Sequence, residues 1–172
     1  MKNISRTAAG LSVTLLLAAG CSSPGFLPEE APIPEGFETD TFRVRPITVA
    51  DAGKDYEAVM ESIDIIHRRF MDDSWPTKDF TLEENRRDMA RKERRRARRQ
   101  SFTYTVVSPD ESRVLGCVYV NEGIGGPDAA VFLWVRQSEA DGPLDQELEA
   151  AVRGWMKEAW PFERVVYPGR GK

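Results

Sequence analysis

Residues 129–135 read AAVFLWV, a run of apolar positions that limits the fold of this chain more than any other stretch downstream of its N-terminus. Side chains on a strand alternate between two faces, so a strand that is apolar on both must lie inside a sheet covered above and below. A polar loop with one glycine, RQSEADG, follows it. After the loop, Leu144, Leu148, Val152, Trp155 and Ala159 recur at three- and four-residue steps, the period of a helix with one buried face. Pro143 suits the first helical position, and Trp160 ends the helix because the residue before Pro161 avoids helical geometry. A strand that feeds a helix through such a loop aims backbone N–H groups at a bound anion, so residues 129–162 are the first candidate for a ligand site.

The remaining elements fall on either side. Phe42, Val44 and Ile47 mark a short strand near Pro46, and Thr48 with Asp51 has the spacing of a capping box. Tyr56, Val59, Met60, Ile63, Ile66, His67 and Phe70 then predict one helix with a continuous apolar face. His67 is the only histidine and has no companions at metal-ligand spacing, so it reads as a packed structural residue and no metal site is expected. A second capping box at Thr81 and Glu84 opens another helix. Between Arg86 and Arg99 that helix has nine Lys or Arg against two acids, a local charge of 9 − 2 = +7. It predicts a narrow buried stripe and a wide basic surface, either paired with the domain's own carboxylates or in contact with anionic lipid. Stacking aromatics are absent from it, which disfavours nucleic acid. Phe102, Tyr104 and Val106 alternate with threonines, and residues 114–120 form the next strand, so the pair predicts an antiparallel hairpin containing a buried thiol at Cys117. Residues 164–167 form a last short strand.

The N-terminus carries a different message. Lys2 and Arg6 precede a short apolar segment, and Ala18, Ala19 and Gly20 lead into Cys21. This order predicts a secretory signal over residues 1–20, too short to span a bilayer. The small residues before the cysteine resemble the lipobox of bacterial lipoproteins, which implies acylation of Cys21 and a place on the non-cytoplasmic side of the cell envelope. Residues 21–40, rich in Pro and Glu, predict a solvated tether, with the domain spanning 41–172. Removing Lys2 and Arg6 leaves 22 − 28 = −6 charges on the mature part, a poor balance for a general nucleic-acid binder.

The order strand, helix, helix, three strands, helix, strand, with TFRVRPIT, SFTYTVV, RVLGCVYV and FLWVRQSEADG at its strands and loop, resembles the GNAT superfamily of acyl-CoA N-acyltransferases. The resemblance implies an α+β, three-layer fold: a mostly antiparallel central sheet of about five strands with helices on both faces, lacking the superfamily's later helix and strands. It implies acetyl-CoA as cosubstrate and an unidentified amine as acceptor. Pantetheine would lie where two strands splay apart, with the backbone at Val135 facing the thioester and Gln137, Ala140 and Gly142 matching the pyrophosphate loop as Q-x-x-A-x-G. Within that framework Glu122 is a candidate base and Tyr167 a candidate acid. Ala140 stands where the pattern has glycine, Pro143 lacks an N–H, and Glu139 and Asp141 place negative charge beside a pyrophosphate, which predicts weak cofactor affinity or none. The alternative is a lipid-anchored envelope protein that uses the same fold and its basic helix for binding without catalysis.

Overall fold

The computed structural model describes residues 25–170. The signal segment and Cys21 lie outside the described residues. Six strands form one sheet in chain order: β1 (Phe37–Glu38), β2 (Arg43–Pro46), β3 (Phe102–Val107), β4 (Val114–Glu122), β5 (Ala129–Val135) and β6 (Val165–Val166). Neighbours are antiparallel until the last pair, in which β6 runs parallel to β5. Among the described residues the four α-helices are α1 (Ala52–Glu61), α2 (Ile63–Phe70), α3 (Leu82–Ala97) and α4 (Leu144–Ala159). The architecture is the expected α+β sandwich, with one strand more than the sequence suggests.

Alternation along the strands divides the core in two. Phe102, Tyr104 and Val106 of β3, Leu115, Val118 and Val120 of β4, and Val131, Leu133 and Val135 of β5 pack with Leu148, Val152 and Trp155 of α4. Cys117, Tyr119 and Trp134 point to the other face, against Val59 of α1 and Ile65 and Ile66 of α2. Burying β5 on both faces explains its unbroken apolar run. The threonines of β3, whose alternation suggests a solvated face, are buried as well, because the α1 and α3 side of the sheet covers them.

Two expectations need correction. The single helix predicted from Tyr56 to Phe70 breaks at Ser62, which leaves helical geometry at φ −118° and ψ 17°. The break turns the Ser62 hydroxyl toward the loop after β5, where it accepts from Gln137 N at 2.9 Å, and it places Glu61 beside the same loop. The second correction concerns the expected solvated tether, whose later part packs on the domain. Leu27 is 1% exposed within the α4-side core, Phe26, Ala31, Ile33 and Phe37 pack against that core, and Phe37 and Glu38 form β1. Prolines prevent this segment from satisfying itself with regular backbone bonds. Arginines of the basic helix region do so instead: Arg99 donates to the carbonyls of Leu27, Pro28 and Ala31, and Arg96 donates to Pro34 O and pairs with Glu35. The capping box at Thr81 and Glu84 forms as expected.

Candidate functional site

β5 and β6 are hydrogen-bonded in register only at Ala129↔Val165 and Ala130↔Val166. Beyond that point they part, and β5 continues to Val135 with an edge that β6 does not cover. A strand's N–H and C=O groups face one side at every second residue, so Val131, Leu133 and Val135 present theirs toward this opening. The opening leads into a cavity of about 450 Å³, lined in part by Ile65 and Arg68 of α2, Val135, Gln137 and Ala140, and Asp145 of α4. Three of the four positions expected to hold cofactor, Val135, Gln137 and Ala140, therefore come together. Gly142 does not border the cavity, and its N–H donates to Glu139 O at 3.1 Å.

Two charged clusters of the protein's own fill the site. In the opening, the guanidinium of Arg170, only 3% exposed, makes a bidentate pair with Asp145 at 2.6 and 2.9 Å, a third bond to Glu149 at 2.8 Å, and a bond to Leu133 O at 3.2 Å. Arg69 shares Asp145 at 2.6 Å and donates to Gly169 O, which holds the C-terminal strap 168–170 across the gap. Burial acts to raise the pKa of Glu149, but the hydrogen bonds from Arg170 and Arg153 outweigh it and hold the carboxyl below its ordinary value. Arg170 Nε is buried without a partner, so the seat of this guanidinium is incomplete.

The second cluster occupies the loop after β5. Glu61 accepts from Ser138 N at 2.7 Å and pairs with Arg136, and these bonds, led by that from Arg136, lower its pKa to about 2. The N–H groups of Gln137, Glu139 and Ala140 are also taken, by Ser62 Oγ, Arg136 O and Gln137 O. Glu139 is offset by Arg113 at 3.1 Å. A carboxylate from the end of α1 thus sits on the donors that a phosphate would need.

The two candidate catalytic side chains lie elsewhere. Glu122 is exposed at the end of β4 opposite Ala129, about 20 Å along the sheet from the level of Val135 at roughly 3.4 Å per residue. Tyr167 packs under the Arg153 guanidinium, 3.9 Å from its ring centre, and lines a separate cavity with Met156 and Phe162. Burial raises its pKa. His67 is structural, with Nε2 bonded to Pro76 O at 2.9 Å. Among the described residues no group of three or more His, Cys, Asp or Glu side chains is placed to hold a metal ion. The residues that dominate the site, Arg170, Asp145, Glu149 and Glu61, carried no signal in the sequence beyond the spacing of Asp145 and Glu149 on one side of α4.

No family model matches the sequence, and no curated protein matches it. Solved structures do. A ribosomal L7/L12 alpha-N-protein acetyltransferase in complex with coenzyme A superposes with a TM-score of 0.55 at 16% identity, over 74% of this chain and 70% of that one. The ribosomal-protein-S5-alanine acetyltransferase from Vibrio fischeri gives 0.53 at 20% identity, over 76% and 71%. The microcin C7 self-immunity acetyltransferase in complex with acetyl-CoA and AMP gives 0.55 at 9% identity, over 74% and 71%. The chain has the GNAT fold. Within that fold, the parting of β5 from β6 is the opening in which the resemblance expects pantetheine, and here Arg170 spans it.

Proposed function

We propose that this GNAT-fold domain is an N-acetyltransferase that takes acetyl-CoA in the opening between β5 and the strap 168–170 and acetylates an amine. The observation that carries the reading is the edge of β5 from Leu133 to Val135, which β6 does not cover and whose Val135 lines a cavity large enough for a small-molecule ligand. The residues fit the group in part. A strand edge with alternating N–H and C=O groups suits the two amides of a pantetheine arm, and Leu133 O already accepts from a donor lying in that place. Arg68, exposed at the cavity, offers a cation to phosphate, whereas Arg69 is paired with Asp145 and the loop's N–H groups are engaged within the protein. When bound, acetyl-CoA supplies the activated acetyl thioester.

This chain's own residues have three tasks. Backbone donors at Leu133 and Val135 orient the acyl group and face the oxygen on which negative charge develops. The helices on both sides wall the cavity, with Ile65 and Arg68 from α2 and Asp145 from α4. Asp145 lines the cavity and is linked to Leu133 O through Arg170; once that guanidinium withdraws it can accept the proton the amine loses as its nitrogen bonds to the acetyl carbon, while the C–S bond breaks and coenzyme A leaves as the thiolate. Binding requires Arg170 to leave Leu133 O, so the reading implies a site that opens before it is loaded. Titration calorimetry of the purified chain with acetyl-CoA tests it: saturable binding is expected, and none at millimolar cofactor, with either wild type or Arg170→Ala, removes the proposal.

A further inference from the structure

The basic helix has an exposed face whose position relative to the N-terminus gives it a partner. Arg87, Arg91, Arg94 and Arg98 are exposed, and at about 100° per residue they fall within an arc of about 60°, opposite the buried residues Asn85 and Met89. Arg91 is partly offset by Asp88, and Glu83 lies at the far, N-terminal end of the face. Arg87, Arg94 and Arg98 have no ion pair among the described residues. Arg96 and Arg99, by contrast, are consumed in holding residues 27–35.

The described chain begins at this same end of the helix. Leu27 N donates to Arg99 O at 3.3 Å, and Gly25 lies so close that a Cβ on it would meet Arg99 Cβ at 2.8 Å and Arg98 O at 3.2 Å. Three residues lie between Cys21 and Gly25, and the four steps reach at most about 14 Å at roughly 3.5 Å per residue. A loose tether ending at residue 40 would let the domain turn freely. A segment packed back to residue 25 leaves only a short lead, so an acyl group on Cys21 brings the C-terminal end of α3 to the headgroups. The mature chain carries −6 overall, which repels an anionic surface unless a basic face is turned toward it.

We infer that the face formed by Arg87, Arg91, Arg94 and Arg98 docks on anionic phospholipid, with acylated Cys21 as the pivot beside it. This does not depend on the acetyltransferase reading. Two contributions act together: the acyl chains hold the protein at the bilayer, and the arginines fix which side faces it.

The full chain carrying Cys21→Ser, which lacks the acylation site but keeps the basic face, is sedimented with phosphatidylcholine vesicles and with vesicles containing about 30% phosphatidylglycerol. The first arm measures what the apolar leader contributes. Phosphatidylglycerol is expected to raise partitioning at least tenfold, and 0.5 M salt is expected to abolish the increment. Arg87→Glu/Arg94→Glu/Arg98→Glu is expected to remove the increment while circular dichroism and melting temperature stay unchanged, because these side chains are exposed. An increment that survives the triple substitution overturns the inference. So does tighter binding of this face to a nucleic-acid oligomer than to the anionic vesicles. In bacteria, palmitate labelling is expected to disappear with Cys21→Ser, and label that persists overturns the pivot.

Discussion

Arg170→Ala separates a structural role for the strap from a gating one. The side chain is 3% exposed and holds two carboxylates, yet both keep a second guanidinium when it is removed: Asp145 retains Arg69 at 2.6 Å and Glu149 retains Arg153 at 2.7 Å. Breaking a buried ion pair costs about 3–5 kcal/mol when the remaining charge is left alone. Here the loss should fall to about 2–3 kcal/mol, since neither carboxylate is orphaned and the incomplete bonding of Arg170 Nε disappears with it. If about 2 kcal/mol of that total holds the opening closed, it is free in only about 3% of molecules, and the apparent affinity for a ligand is reduced roughly 30-fold. Urea denaturation without ligand should therefore show the variant to be less stable, while calorimetry shows acetyl-CoA binding up to about 30-fold tighter than wild type. Arg170→Lys, which keeps the charge but loses the bidentate geometry, should lie between the two. A variant that loses stability with no gain in affinity would show that the strap holds the fold and does not gate the site.

Three further outcomes follow from named contacts. Leu27→Ala should cost about 2–4 kcal/mol in urea denaturation because the side chain is 1% exposed in the core, whereas a solvated tether would give no change. Glu61 has a folded pKa lowered from 4.5 to about 2, so the stability it provides is present above about 4.5 and lost as pH falls toward 2. Glu61→Gln should lack that part of the acid unfolding curve followed by fluorescence. Asp55 has the opposite sign: burial outweighs the bonds from Asn85 and Cys117 and raises its pKa, so the folded state binds the proton more tightly and wild type loses stability as pH rises above the ordinary carboxylate value. Asp55→Asn should abolish that decline, read from melting temperature between pH 4 and 8.

The sheet was legible because burial on two faces leaves an unambiguous trace in residues 129–135, and α4 because its apolar positions repeat without interruption. The break at Ser62 was not legible. Serine in the middle of an amphipathic pattern interrupts no hydrophobic period, and the partner its hydroxyl meets at the break, Gln137 N, is 75 residues away. Residues 25–40 misled for a related reason: Pro and Glu favour a solvated chain locally, but Phe26, Leu27 and Phe37 find a core, and distant arginines supply the missing bonds. That Val135, Gln137 and Ala140 fall together was legible through the resemblance, and they line one cavity, whereas the place of Arg170 was not, since an arginine after Pro-Gly reads as surface until its burial is seen.

The loop after β5 calls for a different electrostatic account from the one its composition suggests. Read from sequence, Glu139 and Asp141 repel a phosphate. In the fold Glu139 faces Arg113, so part of that repulsion is neutralised, and the larger obstacle becomes competition. Glu61 already satisfies Ser138 N and Arg136, and a phosphate seated there must displace a carboxylate whose low pKa shows how firmly its charged form is held. Displacement is an exchange of one anion for another and leaves the donors intact, so it weakens binding without abolishing the site. The same holds at Leu133 O, where Arg170 occupies an acceptor that remains on the strand edge after it leaves. Both obstacles are side chains and neither belongs to the backbone framework, which is why single substitutions at Glu61 and Arg170 can distinguish a closed ligand site from a lost one.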